Sequence, residues 1–458
     1  MSRRRRRFTG ARARIANLVD RIRESYWFWP AALSLAAVST AFVAAYLDAT
    51  GDYDALARLG LAETVGADSA RAVLTTVATA MLSVAGVSFS ILVAAFVFAS
   101  GQFGPRILSN FMRDRANQVV LGIFSSTFLY CVLVLRLVGE DSVPGLSVLI
   151  ALASAVACVM ALLFFFHHAP ESIRLMRIVS DTGNQLLKEI AGLFPEDTQE
   201  QEDAPDRERA AEAAQGEPLP VPSPVNGYVR FVDHGYLLDL ARDEDLVIRL
   251  DRRSGDYVVK GRPLAWVWPA GRADEAIPEE ICGCFSIGTN RTPAQDVEFL
   301  FELLMDVASR ALSPGINDPR TAMICLDWIT SGLSRALRGK PRPAVRCDAE
   351  GRPRLILRAR GFQHLLEHAF GRLRPYFQRD PAAALHMMAR IGGLVLDSRD
   401  RKNTDLLMKM ARDLLDGAEQ EVALEVDRRK IRERFEIISQ AARGELSMFE
   451  ARGRHPWL

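Results

Sequence analysis

The chain has 458 residues, 57 Lys and Arg against 56 Asp and Glu for a formal net charge of +1, 49% hydrophobic residues and six cysteines. That length accommodates two or three domains, and cysteines scattered singly except at Cys282-x-Cys284 exclude a disulfide-rich scaffold and favour a reducing compartment. Most of the charges lie beyond residue 170, and long uncharged stretches precede it, which excludes a chain that is water-soluble throughout.

In chain order, residues 1–25 form a basic cytosolic tail. Arg3–Arg7, Arg12, Arg14, Arg21 and Arg23 stand there against only Asp20 and Glu24, a pattern that fixes topology and places the tail against anionic lipid. No nucleic-acid partner is expected. Residues 26–169 then hold four apolar stretches, 26–47, 73–100, 119–138 and 146–166, each near or above the ~20 residues that cross a ~30 Å hydrocarbon core. The first is long enough to span and lacks a convincing cleavage signal, so it is read as retained rather than as a signal peptide. Connection 48–72 is acidic and the turn 139–145 carries only Glu140 and Asp141, whereas 101–118 carries Arg106, Arg113 and Arg115 against Asp114. The positive-inside rule places both termini in the cytosol of a multi-pass inner-membrane protein.

The second stretch is too long for one upright span. Residues 72–105 lack any ionisable side chain, and such a helix would measure ~50 Å against a ~30 Å core. Gly101, Gly104 and Pro105 form an expected hinge at its cytosolic end. Thr79, Ser83, Gly86 and Ser90 share one helical face, and either pack against a neighbouring helix or line a hydrated path.

Residues 170–220 read as a helical stalk followed by an acidic linker rich in Glu, Asp, Ala, Gln and Pro. Residues 221–271 alternate as strands do, in YVRFV, LVIRL and YVVK, with turns at Asn226-Gly227, Ser254-Gly255 and Gly261. The layout is similar to a lipoyl-like module, a small β-barrel or sandwich. A carrier would hold its modified lysine in the central hairpin, where this chain has Ala241-Arg242-Asp243-Glu244-Asp245. Met408-Lys409-Met410 imitates the carrier motif within a helical pattern, and no cofactor is expected.

Residues 280–458 form a mostly helical cytosolic domain, with a hairpin near 344–347 and 355–358. In SPGINDPRTA, Ser313-Pro314-Gly315 ends one helix and Asp318 caps the next with Pro319 in its first turn. Arg291, Asp296, Asn317 and Asp318 are also candidates for a polar junction that binds an ion or small ligand. His364-Leu365-Leu366-Glu367-His368 matches the H-x-x-E-H spacing of inverted zinc peptidases, with Glu445 as a conceivable third ligand. Both histidines nevertheless point away from the apolar stripe of Phe362, Leu365, Leu366, Ala369, Phe370 and Leu373. A solvated face is therefore favoured over a metal site, and no enzyme is expected.

Residues 101–137, GQFGPRILSNFMRDRANQVVLGIFSSTFLYCVLVLRL, and 285–327, with RT-x-x-QD and RALSPGINDP, together resemble a bacterial family of predicted membrane proteins, domain of unknown function 2254. The resemblance implies an inner-membrane location and assigns no catalytic role. The expected fold is a four-helix transmembrane domain plus a cytosolic α+β region with a small β-barrel or sandwich and a helical domain. The expected function is an oligomeric channel or transport protein with a cytosolic regulatory region. The alternative is a membrane-anchored scaffold or sensor that binds an unknown protein partner.

Overall fold

The computed structural model describes residues 27–50, 66–103, 115–140, 143–172, 174–196, 212, 214–274, 276–358 and 360–445. The chain divides into two compact units at the Ile178/Val179 boundary.

The N-terminal unit consists of α1 (Phe28–Thr50), α2 (Ala67–Phe103), α3 (Arg115–Leu135) and α4 (Gly145–Ser172). All four are long and apolar enough to cross a membrane. In its most apolar stretch α3 is 50% buried, against 11%, 17% and 22% for α1, α2 and α4, so α3 is the central helix. Phe124 of α3 is enclosed by Met81 and Leu92 of α2 and by Cys158 and Phe165 of α4. Leu35, Phe42, Val87, Phe98, Met160 and Phe166 face outward, as side chains do where the solvent is hydrocarbon. Asp48 ends α1 and caps α4, accepting the Leu146 and Ser147 N–H groups and the Ser147 hydroxyl. α2 runs through Gly101 without a break to Phe103, a length of 37 residues. Gly104 and Pro105 lie outside the described residues, as does the Arg-rich tail.

The C-terminal unit begins within α5 (Leu175–Leu193) and continues as β1 (Leu219–Pro222), β2 (Gly227–Val232), α6 (His234–Asp243), β3 (Val247–Leu250), β4 (Tyr257–Val258), β5 (Pro263–Trp268), α7 (Ile277–Gly283) and β6 (Phe285–Gly288). Next come α8 (Val297–Ala311), α9 (Pro319–Arg338), β7 (Val345–Cys347), β8 (Pro353–Ile356) and α10 (Phe362–Leu366). A wide π turn at Glu367–Gly371 leads into α11 (Arg372–Phe377), α12 (Pro381–Asp397), α13 (Arg401–Glu421) and α14 (Glu425–Ala442).

Among the described residues no closed barrel forms. The strands make two small sheets, β1-β5-β3-β8-β7 and β4-β2-β6. The alternating pattern is broken at 234–243, where Leu237, Leu240 and Ala241 are buried at helical spacing and the Asp233 carboxylate caps Tyr236 N–H. Ala241-Arg242-Asp243-Glu244-Asp245 consequently ends a helix rather than forming a central hairpin. The strands that complete the sheets come from outside 221–271: β6 joins β2, while β8 joins β3 in parallel and β7 in antiparallel fashion. Val229, Leu237, Leu246, Ile248, Leu264 and Leu355 form the core beneath. In the helical part α12 packs on α9, α13 and α14, burying Met387, Leu326, Leu414 and Ile431. Met408-Lys409-Met410 lies inside α13, with Met410 buried.

The segment read as a stalk is, from Val179 on, part of this unit's core. Val179, Thr182, Gly183, Leu186 and Ile190 form its buried stripe, at the three- and four-residue spacing of an amphipathic helix. A Cβ at Gly183 would fall 2.2 Å from the indole of Trp328 in α9, and one at Gly332 would fall 2.9 Å from Ile190. Of the acidic linker read at 195–220, residues 197–211 and 213 lie outside the described residues, and its last two, Leu219 and Pro220, belong to β1. Gly183→Ala is expected to destabilise the unit by roughly 1–3 kcal/mol through overpacking, read as a lower Tm in thermal denaturation of the full chain.

Candidate functional site

On α2, Thr79, Ser83, Gly86 and Ser90 are all exposed, while Leu74, Ala78, Met81, Ser88 and Leu92 turn into the bundle. The hydroxyls donate back along their own helix, Ser83 to the Thr79 carbonyl and Ser90 to the Gly86 carbonyl, both at 2.9 Å. Among the described residues nothing outside the helix's own backbone lies within 4 Å of a Cβ placed on Gly86 or Gly101. The stripe is therefore a groove of small residues on the outside of the N-terminal unit.

In the C-terminal unit Arg291 and Asp296 meet. Fully buried Asp296 accepts from Arg291 Nε at 2.9 Å and Nη2 at 3.0 Å, and caps α8 through Phe299 N–H at 3.1 Å. Burial alone would lower the Arg291 guanidinium, but Asp296 and Glu302 hold it above its ordinary value. Gly255 closes the other side: its φ of +96° is left-handed, and a Cβ there would fall 2.5 Å from Asp296 Oδ2. The remaining members of RT-x-x-QD also bridge elements. Thr292 donates to the Arg230 carbonyl, and the Gln295 side chain pairs with both the N–H and the carbonyl of Val232. Asn317 and Asp318 belong to the α8–α9 turn instead. Asn317 has φ +52°, and Asp318 caps α9 through the Thr321 N–H and hydroxyl.

His364 and His368 face α8. Their rings lie 6.2 Å apart, with His364 Nε2 at 2.8 Å from Glu298 Oε1 and His368 Nε2 at 3.5 Å from Glu302 Oε1. His364 is exposed, as a solvated face requires, but the His368 side chain is only 14% exposed, and burial lowers its pKa. Glu367 accepts from Gln363, and Glu445 pairs with Arg443. Among the described residues no group of three or more His, Cys, Asp or Glu is arranged to hold a metal. Glu298 is the hub of a second network, taking Arg253 at 2.6 Å and Arg360 at 2.8 Å beside His364. Burial would raise its carboxyl, yet Arg360 and Arg253 hold it at about 2.

Beside that hub lies a cavity of about 340 Å³. Strand order creates it. Because β3 and β8 run parallel, with Ile248 opposite Leu355, the residues that follow each strand emerge on the same side. Arg252 and Arg253 follow β3, and Arg358 and Arg360 follow β8. Val345, at the start of antiparallel β7, pairs with Ile356 and so brings Arg342 and Arg346 to the same end. All six guanidinium-bearing residues line the cavity, with Leu193, Leu250 and Leu357 on its apolar walls and Glu189 as its acidic residue. Burial raises the Glu189 carboxyl, with the Gln295 N–H acting the other way. Burial, followed by Arg346, pulls the His234 imidazole in the wall down to about 4, against the opposing influence of Asp233.

Residues 23–392 match the model of a family described as predicted membrane protein, domain of unknown function 2254. The chain belongs to this family. Uncharacterized proteins of Mycobacterium bovis and Mycobacterium tuberculosis H37Rv are each 31% identical to it over 370 residues, covering 78% of this chain and 70% of theirs. An uncharacterized protein of Mycobacterium tuberculosis CDC 1551 is 30% identical over the same coverage. No solved structure matches the chain. The family region takes in the four candidate spans, both sheets and the whole Arg-lined cavity, and ends within α12.

Within that region the RT-x-x-QD element is legible as a motif, whereas the six arginines are not. They come from three separate stretches, 252–253, 342–346 and 358–360. The available signal was arginines clustered just after two candidate strands, and it acquires meaning only once β3 and β8 are known to be parallel neighbours.

Proposed function

We propose that this family member is an oligomeric channel or transport protein of the bacterial inner membrane, with both termini in the cytosol and the C-terminal unit as its regulatory region. The observation that carries the reading is the outward-facing Thr79, Ser83, Gly86 and Ser90 groove on α2. Small residues on a lipid-exposed helix allow another helix to approach closely, so a second copy of the chain is the expected occupant. The bundle's own interior is filled by Phe124, Phe165, Leu92 and their neighbours. A hydrated path would then run between copies, where hydroxyls and backbone carbonyls offer polar contacts. The basic tail would hold the assembly against anionic lipid.

Reconstituted in liposomes, the purified chain is expected to pass ions or small solutes, and Ser83→Leu with Ser90→Leu to suppress that flux. Flux unchanged by both substitutions would remove the proposed lining. The alternative, a membrane-anchored sensor, is favoured by a different observation, the Arg-lined cavity. Silence of folded, inserted protein across voltages and solutes would shift the account to it.

A further inference from the structure

The cavity holds more positive charge than the chain neutralises. Arg253 and Arg360 share Glu298, Arg252 stands 3.5 Å from Asp251 and Arg358 stands 3.9 Å from Asp256. Arg342 and Arg346 face no carboxylate partner among the described residues. The buried Nε atoms of Arg252 and Arg253 also lack a hydrogen-bond partner there. Burial, and then the neighbouring Arg342, pulls the Arg346 guanidinium below its ordinary value, and burial with Arg360 does the same to Arg253. Unpaired guanidinium donors in a half-buried site are costly unless an anion completes them.

From the cavity's size, its uncompensated arginines and its apolar walls, we infer that it binds a phosphate monoester or diphosphate carried on a small organic body. Two guanidinium groups without an ion-pair partner among the described residues, beside four more arginines, call for an anion. The planar fork of arginine matches phosphate oxygens two at a time. A volume near 340 Å³ falls in the small-molecule range and is too small for a folded partner or a nucleic-acid duplex. Leu193, Leu250 and Leu357 offer the organic body an apolar wall. Glu189, its carboxyl raised by burial, and neutral His234 are placed to exchange hydrogen bonds with ligand hydroxyl or ring groups. The inference holds whether or not the chain moves a solute.

The test uses the full chain in nanodiscs of phosphatidylcholine, titrated calorimetrically with inorganic phosphate, inorganic pyrophosphate and ADP at matched ionic strength. A parallel arm measures Tm in discs with and without phosphatidic acid. The comparison variant is Arg342→Gln with Arg346→Gln, which breaks no ion pair among the described residues; Arg358→Gln serves in its place if the double variant has lost its circular dichroism. Saturable binding of pyrophosphate or ADP, weakened about tenfold or more in the variant, is the expected result and places the source in solution. A phosphatidic acid stabilisation lost in the variant, with no soluble probe bound, keeps the phosphate ligand and places its source in the bilayer. Absence of both effects, or effects equal in parent and variant, would overturn the inference.

Discussion

Asp296→Ala is expected to destabilise the C-terminal unit by roughly 3–5 kcal/mol, the cost of leaving one member of a buried ion pair without its partner. Asp296 is fully buried and does two tasks at once: it takes both prongs of Arg291 and caps α8 at Phe299 N–H. Alanine there strands the Arg291 guanidinium, which retains Glu302 at 2.8 Å and the Phe299 ring, and leaves an N-terminal donor of α8 without its acceptor. Asp296→Asn keeps an oxygen for the cap and should recover part of the loss. Arg291→Ala strands the carboxylate instead, so its effect should be comparable and far from additive with that of Asp296→Ala. Calorimetric Tm values for the parent, both single variants and the double variant measure the coupling. A fall of only a degree or two in Asp296→Ala would show that the pair contributes little.

The same unit is expected to lose stability in acid in two separable steps. His234 has a folded pKa of about 4 against an ordinary 6.5. Below pH 6.5 the unfolded chain takes up this proton and the folded chain does not, so stability falls as pH drops from 6.5 toward 4, by up to about 3 kcal/mol. Glu298 has a folded pKa of about 2 against 4.5. Its ion pairs with Arg360 and Arg253 contribute fully above 4.5, and that contribution is lost as pH falls from 4.5 toward 2. Between pH 7 and pH 4.5 the Tm should drop in the parent and drop less in His234→Gln, where His368, its pKa also lowered by burial, keeps its share of the step. Glu298→Gln should retain the upper step and show a smaller lower one, to which Asp348, also held at about 2, still contributes. Equal pH profiles for parent and His234→Gln would show that the imidazole titrates normally.

The helices were legible wherever a period of 3.6 met a cap. The four apolar stretches and α9 behind Asp318-Pro319 follow from local rules that a single sequence obeys, whereas Asp296, the cap of α8, reads there only as a polar-junction candidate. Sheet architecture was not legible, because it depends on pairing between distant segments. β8 inserts beside β3 from more than a hundred residues away, and that insertion makes the larger of the two sheets a mixed one where the pattern resembled a carrier barrel. The Leu237, Leu240 and Ala241 period sits inside an otherwise alternating stretch, and only the Asp233 cap distinguishes it from more strand. Gly183 is missed by the stalk reading: a Cβ there would fall 2.2 Å from the Trp328 indole, and a helix packed that closely needs glycine. The site followed the same division. Arg291 and Asp296 are neighbours in the chain and could be paired from it, while the six cavity arginines converge only in three dimensions.

The central claim, that copies meet along the second span, is tested most directly by cysteine cross-linking in native membranes. Ser83→Cys and Ser90→Cys chains are expected to form a disulfide-linked species at twice 50.7 kDa, while Ala78→Cys, on the face turned into the bundle, stays monomeric. Ser83→Cys and Ser90→Cys chains that remain single under the same oxidant, from protein shown to be inserted, would contradict it.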